Sequence, residues 1–396
     1  MDASHPLRAD IERFWAAAAA CPELAELLDA PGSPPVVRSV LRLGPASDSL
    51  LWLCTSVQRP AEGPYAAVTV RYRPDRDRLE RFTPATDPGL PQLAALEPEV
   101  GSALQYVPLR RFAYRVGDGR PGSPIAKAMR PVELDEAWRR LELVWRASRR
   151  ARPGFAVAEP LGIDRERGVF YQSTVPGTEV SSLVDAGNLH QLLHRAGAVH
   201  GELQALPASG LPRWSPEQLV PEIRAHARLV ALFRPEAAPP VTAVRDLLLA
   251  SVPRACEPAF CHGDLRCGHL LALDDAWSVI DADGCRLGDP CQDVARLLAF
   301  LELDVPYLRD RLAITGDDGA RELDQAVAAY LDGYRSTGRR LDDARLAWYL
   351  LAHQLHFLAR LFKRDRYAPS TLERGLARLR GLEARLRVQL AGGRRP

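Results

Sequence analysis

With 396 residues, the chain is long enough for two or three lobes with cores of their own. Its 46% apolar and 26% charged residues are those of an ordinary globular protein, and a net charge of +2 gives no reason to expect a nucleic-acid partner. No apolar run reaches the roughly 18 residues of a membrane span, so none is expected.

In chain order, the opening MDASHPLRADIERFWAAAAACPEL reads as an amphipathic helix. It lacks the basic start of a signal peptide, which points to a cytoplasmic protein. LLWLCTSV and YAAVTVRYR flank the turn-like QRPAEGP and predict a hairpin. The Pro-rich TPATDPGLP closes what we take as an N-terminal cap, residues 1–100. ALQYVPL, RRFAYRVG and SPIAKAMR are strand-like, and DGRPG joins the last two as a second hairpin. VELDEAWRRLELVWRASRR has helical spacing, with Trp138, Leu141 and Trp145 on one face. FAVAEPLGIDRERGVFYQSTVPG reads as strand, turn, strand and a kinked linker near residue 176. Residues 177–396 are mostly helical, broken by one short hairpin within 260–290. The expected fold class is α+β: a cap, a strand-rich N-lobe at 101–176 and a helical C-lobe.

Seven cysteines argue against a disulfide framework. Cys261, Cys267, Cys285 and Cys291 crowd one stretch, but their spacing is wider than the knuckles of structural zinc, so buried thiols are the plainer reading. The cations are more informative. Of 52 basic residues only Lys127 and Lys363 are lysines. Where arginine is the default, a lysine points to a position that needs a compact charge, such as a tight phosphate site.

The stretch FCHGDLRCGHLLALDDAWSVIDADGCRLGDP, residues 260–290, concentrates the chemistry. Asp264 precedes one apolar run and Asp281 ends another, and a tight turn through LDDA would bring both to one end of a hairpin. Two carboxylates so placed suit phosphoryl transfer: one aligns a hydroxyl and accepts its proton, the other holds magnesium. Asp289 and Asp293 are expected to cap or brace the loop.

HGDLRCGHLL followed by VIDADGCRLGDPCQDVA resembles the aminoglycoside phosphotransferase and choline kinase-like family, whose fold is similar to protein kinases. The resemblance covers roughly residues 100–390 and implies a bilobal kinase-like fold, ATP and Mg2+ as cofactors, and transfer to a hydroxyl. By it, Asp264 is the catalytic base, Asp281 the main metal ligand and Lys127 the lysine that meets the α- and β-phosphates. Glu142, or else Glu136, would pair with that lysine. Backbone groups around Ser173 to Val175 would bond the adenine. The first hundred residues and YVPLRRFAYRV look more like the cap and N-lobe of maltokinase-type members.

Two departures stand out. His269 occupies the position of the family's second metal-ligating asparagine, and imidazole is a soft ligand for magnesium. Asp283 could supply the missing oxygen, one metal could suffice, or only nucleotide binding could remain. No Gly-rich phosphate loop is present; Arg110 or Arg111 could touch phosphate instead, although surface cations are the plainer reading. His190 and His194, and likewise His353 and His356, read as ordinary helix histidines, with an acceptor pocket as the alternative for the second pair. The Arg-rich LARLFKRDRY favours a sugar or natural-product acceptor, or a Ser/Thr of a biosynthetic peptide, over a polycation. The reading from another class is a nucleotide-binding pseudokinase with a regulatory role.

Overall fold

The computed structural model describes residues 9–10, 12–14, 16, 36–43, 50–58, 63, 65–76, 78–185, 187–254, 256–312, 317–361 and 369–392. The expected N-terminal helix falls largely outside these residues, as does Lys363. Strands β1 (Val36–Leu43), β2 (Leu50–Gln58), β3 (Ala67–Arg73) and β4 (Arg78–Phe82) form an antiparallel sheet in sequence order. The expected hairpin across QRPAEGP is the β2–β3 pair.

A second sheet takes β5 (Val100–Val107), β6 (Arg111–Val116) and β7 (Ile125–Met129). After helix α1 (Pro131–Ala151) and strand β8 (Phe155–Val157) it adds β9 (Pro160–Asp164) and β10 (Val169–Gln172), in the order β5-β6-β7-β10-β9. Side chains alternate across a strand. Ala126 and Ala128 therefore pack with Phe112, Tyr114 and Tyr106 on one face. Met129 and Phe170 pack with Leu134, Ala137 and Leu141 of α1 on the other. Lys127 shares that second face.

β8 leaves this sheet and runs parallel to β14 (Ala276–Val279) in a third one. Its order is β11 (Thr178–Glu179), β13 (Leu270–Leu273), β14, β8, while β12 (Ala259–Cys261) pairs with β15 (Arg286–Gly288) as a separate ribbon. β13 and β14 are the hairpin expected through LDDA, with Leu273 opposite Ala276.

Helices carry the rest: α2 (Leu189–Gln204), α3 (Val220–Phe233), α4 (Ala238–Ala250), α5 (Pro290–Leu312), α6 (Asp317–Ser336), α7 (Asp343–Leu361) and α8 (Pro369–Ala391). α2 and α6 cross at backbone contact. A Cβ on Gly197 would lie 2.0 Å from the Tyr330 carbonyl oxygen, and one on Gly333 would lie 1.7 Å from that of His194. Trp348, Tyr349, Leu351 and Leu355 of α7 sit fully buried at the centre of the helical core. No helix among the described residues is long and apolar enough to cross a membrane.

Candidate active site

The loop from β12 to β13 is held from beneath by buried polar groups. His262 donates through Nε2 to the Ile280 carbonyl at 2.8 Å, which leaves Nδ1 to accept the Asp264 N–H at 3.4 Å. Asp293, at the start of α5, accepts the N–H groups of His262 and of Gly263, the latter at 2.8 Å. Burial opposes charge on Asp293, yet its hydrogen bond with His200 carries its pKa well below the ordinary value. Gly263 has φ +83°, and a Cβ there would meet the Gly284 carbonyl oxygen at 2.6 Å. Asp289 accepts the Cys291 N–H at 2.9 Å and pairs with Arg345 of α7. Asp293 thus braces the loop, whereas Asp289 caps the start of α5 and ties it to α7.

Above this base lies a chain of charges that joins the sheets. Lys127, from β7, places Nζ 2.6 Å from Asp281 Oδ1 and 3.4 Å from Asp283 Oδ1. Arg111, the first residue of β6, reaches the same two carboxylates at 3.4 and 3.6 Å. Asp281 has φ +62° and ψ +38°, a conformation that costs a non-glycine residue about 1 kcal/mol. That turn separates Asp281 from Asp283, two residues on. Burial works against every charge here. For Lys127 and Arg111 the two carboxylates overcome it and raise both pKa values. For Asp281 the two cations overcome it and hold the carboxyl well below its ordinary range. Asp283, buried beside Asp281, is pushed the other way.

His269 sits on the opposite side of Asp281, with Nε2 3.6 Å from Asp281 Oδ2. Its Nδ1 donates to the Asp264 carbonyl at 2.8 Å. Its Nε2 lone pair accepts from Arg266 Nε, also at 2.8 Å. Burial, with Arg266 adding, lowers its pKa to about 3, so the ring is neutral. Asp264 itself is gripped by Arg296 of α5, whose Nε donates to Oδ1 at 2.9 Å. Burial pushes the Asp264 carboxyl upward, but Arg296 carries it below the ordinary value.

Asp264, Asp281, His269 and Lys127 therefore meet: the hairpin spacing implied this for the two aspartates, and the family resemblance for Lys127 and His269. Other expected partners do not. Glu142 pairs with Arg146 one turn on, at 3.1 Å, and Glu136 with Arg139 and Arg140. The lysine's counter-charges are Asp281 and Asp283 instead, because α1 turns Arg140, not a glutamate, toward the site, where it donates to the Asp283 carbonyl at 3.3 Å. Ser173 gives its N–H to the Glu159 carbonyl and accepts the Glu159 N–H on its hydroxyl, so its N–H is not open to a base. Val175 packs its side chain beside Phe170. Arg110 pairs with Glu133 at the surface, whereas Arg111, set aside as a surface cation, lines the site. Arg266 and Arg296 carried no signal among fifty arginines.

The metal question turns on donor type. Asp264, His269 and Asp281 each offer a ligand atom within 4.8 Å of the others; Asp283 stands outside that group. The carboxylates suit magnesium. The imidazole does not, and its lone pair already accepts from Arg266. The donors fit one magnesium at Asp281 and not a second at His269. None of the described cysteines is in a disulfide, and among the described residues none joins a cluster with metal-ligand geometry.

Residues 109–339, more than half of the chain, match the phosphotransferase enzyme family (APH). The chain belongs to that family. It is a phosphotransferase with an alcohol group as acceptor, on a kinase-like fold. Solved structures similar to this phosphotransferase include amicoumacin kinase hAmiN in complex with AMP-PNP, Ca2+ and Ami; it is 18% identical, with 71% of this chain and 88% of that one covered and a TM-score of 0.48. A choline/ethanolamine kinase family protein from Mesorhizobium loti is 15% identical over 77% and 97%, TM-score 0.46. The aminoglycoside phosphotransferase APH(3'')-Id from Streptomyces rimosus is 20% identical over 67% and 96%, TM-score 0.45. No curated protein matches the sequence. The match begins at residue 109, and no comparison supports the narrower likeness of the first hundred residues to maltokinase-type proteins.

Proposed function

We propose that the protein transfers the γ-phosphate of ATP to a hydroxyl of a small molecule, with one magnesium ion. The observation that carries this reading is the junction at Asp281. A buried lysine from one sheet reaches it at 2.6 Å, and Asp264 lies in the same cluster at the foot of another. Magnesium, when bound, neutralises phosphate charge; Asp281 is the residue that would hold it. Lys127 and Arg111 are the cations poised for the α- and β-phosphates, and they would release part of Asp281 to meet them. The N–H groups of Thr174 and Val175, not that of Ser173, remain as candidates for the base.

Asp264 would align the acceptor hydroxyl and take its proton late, since a carboxylate with a lowered pKa is a weak base. That fits a loose transition state, where positioning and electrostatics do most of the work. Arg296 must slide off Asp264 Oδ1 or share it with the hydroxyl. The test is transfer from γ-labelled ATP to pooled hydroxyl compounds, with Asp264→Asn as the blank. Label entering a pool only with the parent protein supports the reading; equal labelling by the blank sinks it.

The guanidiniums on Asp264 and His269 favour one second reading, a nucleotide-binding pseudokinase. Saturable ATP binding with neither transfer nor ATP hydrolysis, in the parent protein and in His269→Asn alike, would select it.

A further inference from the structure

A pocket of about 100 Å³ lies beside Asp264, walled by α3, α7, β15 and the start of α5. At ~10–15 Å³ for each water-sized site it has room for roughly seven to ten such sites, enough for a small molecule or one end of a larger one. Gly263, next to Asp264 in the chain, and Arg296, which grips Asp264, are part of its wall, so the pocket is one residue removed from the candidate base. A larger cavity of about 610 Å³ opens behind the β12–β15 ribbon; its lining holds no unpartnered buried polar side-chain atom.

Two polar atoms in the smaller pocket's wall are buried without a hydrogen-bond partner. One is Nε2 of His353, a residue only 3% exposed. The other is Nε of Arg286. Buried polar groups are ordinarily satisfied, so two orphans on residues that line one cavity point to a ligand's place. Their chemistry differs. His353 is kept neutral by burial and by the two nearby guanidiniums, and its main-chain hydrogen bond with Gln292 favours the protonated ring, as a carbonyl accepting from Nδ1–H does. Its Nε2 is then a bare lone pair that wants a donor, such as a hydroxyl.

Arg286 is a cation short of an anion. It stacks on Trp214 at 4.6 Å and donates Nη2 to the neutral amide of Gln292 at 2.9 Å. Among the described residues no carboxylate is within ion-pair distance of it. Glu222 is the only carboxylate in the pocket's wall, against the guanidiniums of Arg286 and Arg296. Burial lowers the Arg286 pKa, and the repulsion of Arg296 adds to this. A polycation would add charge of the same sign. An anion would supply what Arg286 lacks, by a charge-assisted bond.

Resting on the kinase reading above, we infer that the acceptor is a hydroxylated acid: an alcohol whose carboxylate or phosphate group binds Arg286, with a hydroxyl donating to His353 Nε2.

The experiment compares three-carbon diols that differ in one terminal group, anionic, neutral or cationic: glycerate, glycerol 3-phosphate, glycerol and 3-amino-1,2-propanediol. Binding is followed without nucleotide, by the imidazole NMR signal of His353, assigned through its loss in His353→Asn. The expected result is a saturable shift with one or both acids, Kd about 1 mM or tighter, and at least tenfold weaker binding of the neutral and cationic members. Arg286→Gln should weaken the acids by ~10- to 100-fold and leave glycerol unaffected. Should that variant not fold, the comparison of acids with amine on the parent protein still decides. Preference for glycerate over glycerol 3-phosphate, or the reverse, separates the two anions. Equal or tighter binding of the amine or of glycerol, or no shift with any of the four, overturns the inference. Because no ATP is present, these outcomes are independent of phosphoryl transfer, whose absence would count against the kinase reading alone.

Discussion

The two sides of Asp264 are satisfied in opposite ways. Toward the nucleotide side, Lys127, Arg111, Asp281 and Asp283 neutralise one another, each cation reaching both carboxylates. Toward the acceptor side, Arg286 and His353 keep buried polar atoms with no partner. A buried charge network that closes on itself holds a shape without a ligand, whereas one with open valences is complete only when a ligand arrives. On the proposed reading, the nucleotide side is preassembled from chain-borne charges that a triphosphate and a cation would replace, and the acceptor side is completed by its ligand.

The sharpest way to break this comparison is at its centre. Asp264→Asn removes the group that both sides share. Transfer should fall by about 10²- to 10⁴-fold while ATP affinity, measured by equilibrium dialysis, holds within a factor of a few. A variant that keeps most of its activity would take Asp264 out of the mechanism. Next, Lys127→Met should raise the KM for ATP by ~10- to 100-fold, the range of a charge-assisted hydrogen bond. Lys127→Arg should recover only part of that loss, because a guanidinium does not fit where a compact ammonium lies beside two carboxylates.

Arg296→Gln tests the grip between the sides. Losing the guanidinium should raise the Asp264 pKa, because Arg296 is the main group that holds it below the ordinary carboxylate value. The acid limb of kcat/KM should then move to higher pH, where the parent enzyme's limb lies below about 4. A limb that stays in place means Arg296 does not control Asp264.

The buried histidines sharpen the comparison through stability. His269 and His353 both have pKa values lowered to about 3, one on each side. A lowered folded-state value means that between pH about 6.5 and 3 the unfolded chain binds more protons, so stability falls as pH falls through that window. At pH 5 each contributes a loss of about 2 kcal/mol. Denaturant titrations should show the decline beginning near pH 6.5, above the carboxylate range, and His353→Asn should remove part of it. The smallest effect is expected from His269→Asn: activity within about tenfold of the parent, since its lone pair serves Arg266 and not a metal. Mn2+ titration of the ATP complex by electron paramagnetic resonance should count one ion in the parent protein. A count of two would return His269 to the ligand set.

Much of the nucleotide side was legible in the chain. A strand alternates faces, so IAKAM had to place Lys127 opposite its alanines. A two-residue turn at Asp274 and Asp275 had to bring Asp264 and Asp281 to one end. The pairing of Glu142 was not legible, because residues three and four apart on a helix are neighbours and Arg146 is closer in sequence than any strand. That the Ser173 N–H and hydroxyl close on Glu159, fourteen residues away, was not legible either, since no local pattern announces the pairing.

By itself, the sequence determined the α+β class, the hairpin and the juxtaposition of Asp264 and Asp281, because each rests on local spacing. The tertiary structure alone decided which arginines matter. Arg111 lies 170 residues from Asp281 and Arg296 lies 32 from Asp264. A guanidinium has the same local signature everywhere in an arginine-rich chain, and only packing sets one beside a carboxylate and another, Arg286, in the wall of a pocket.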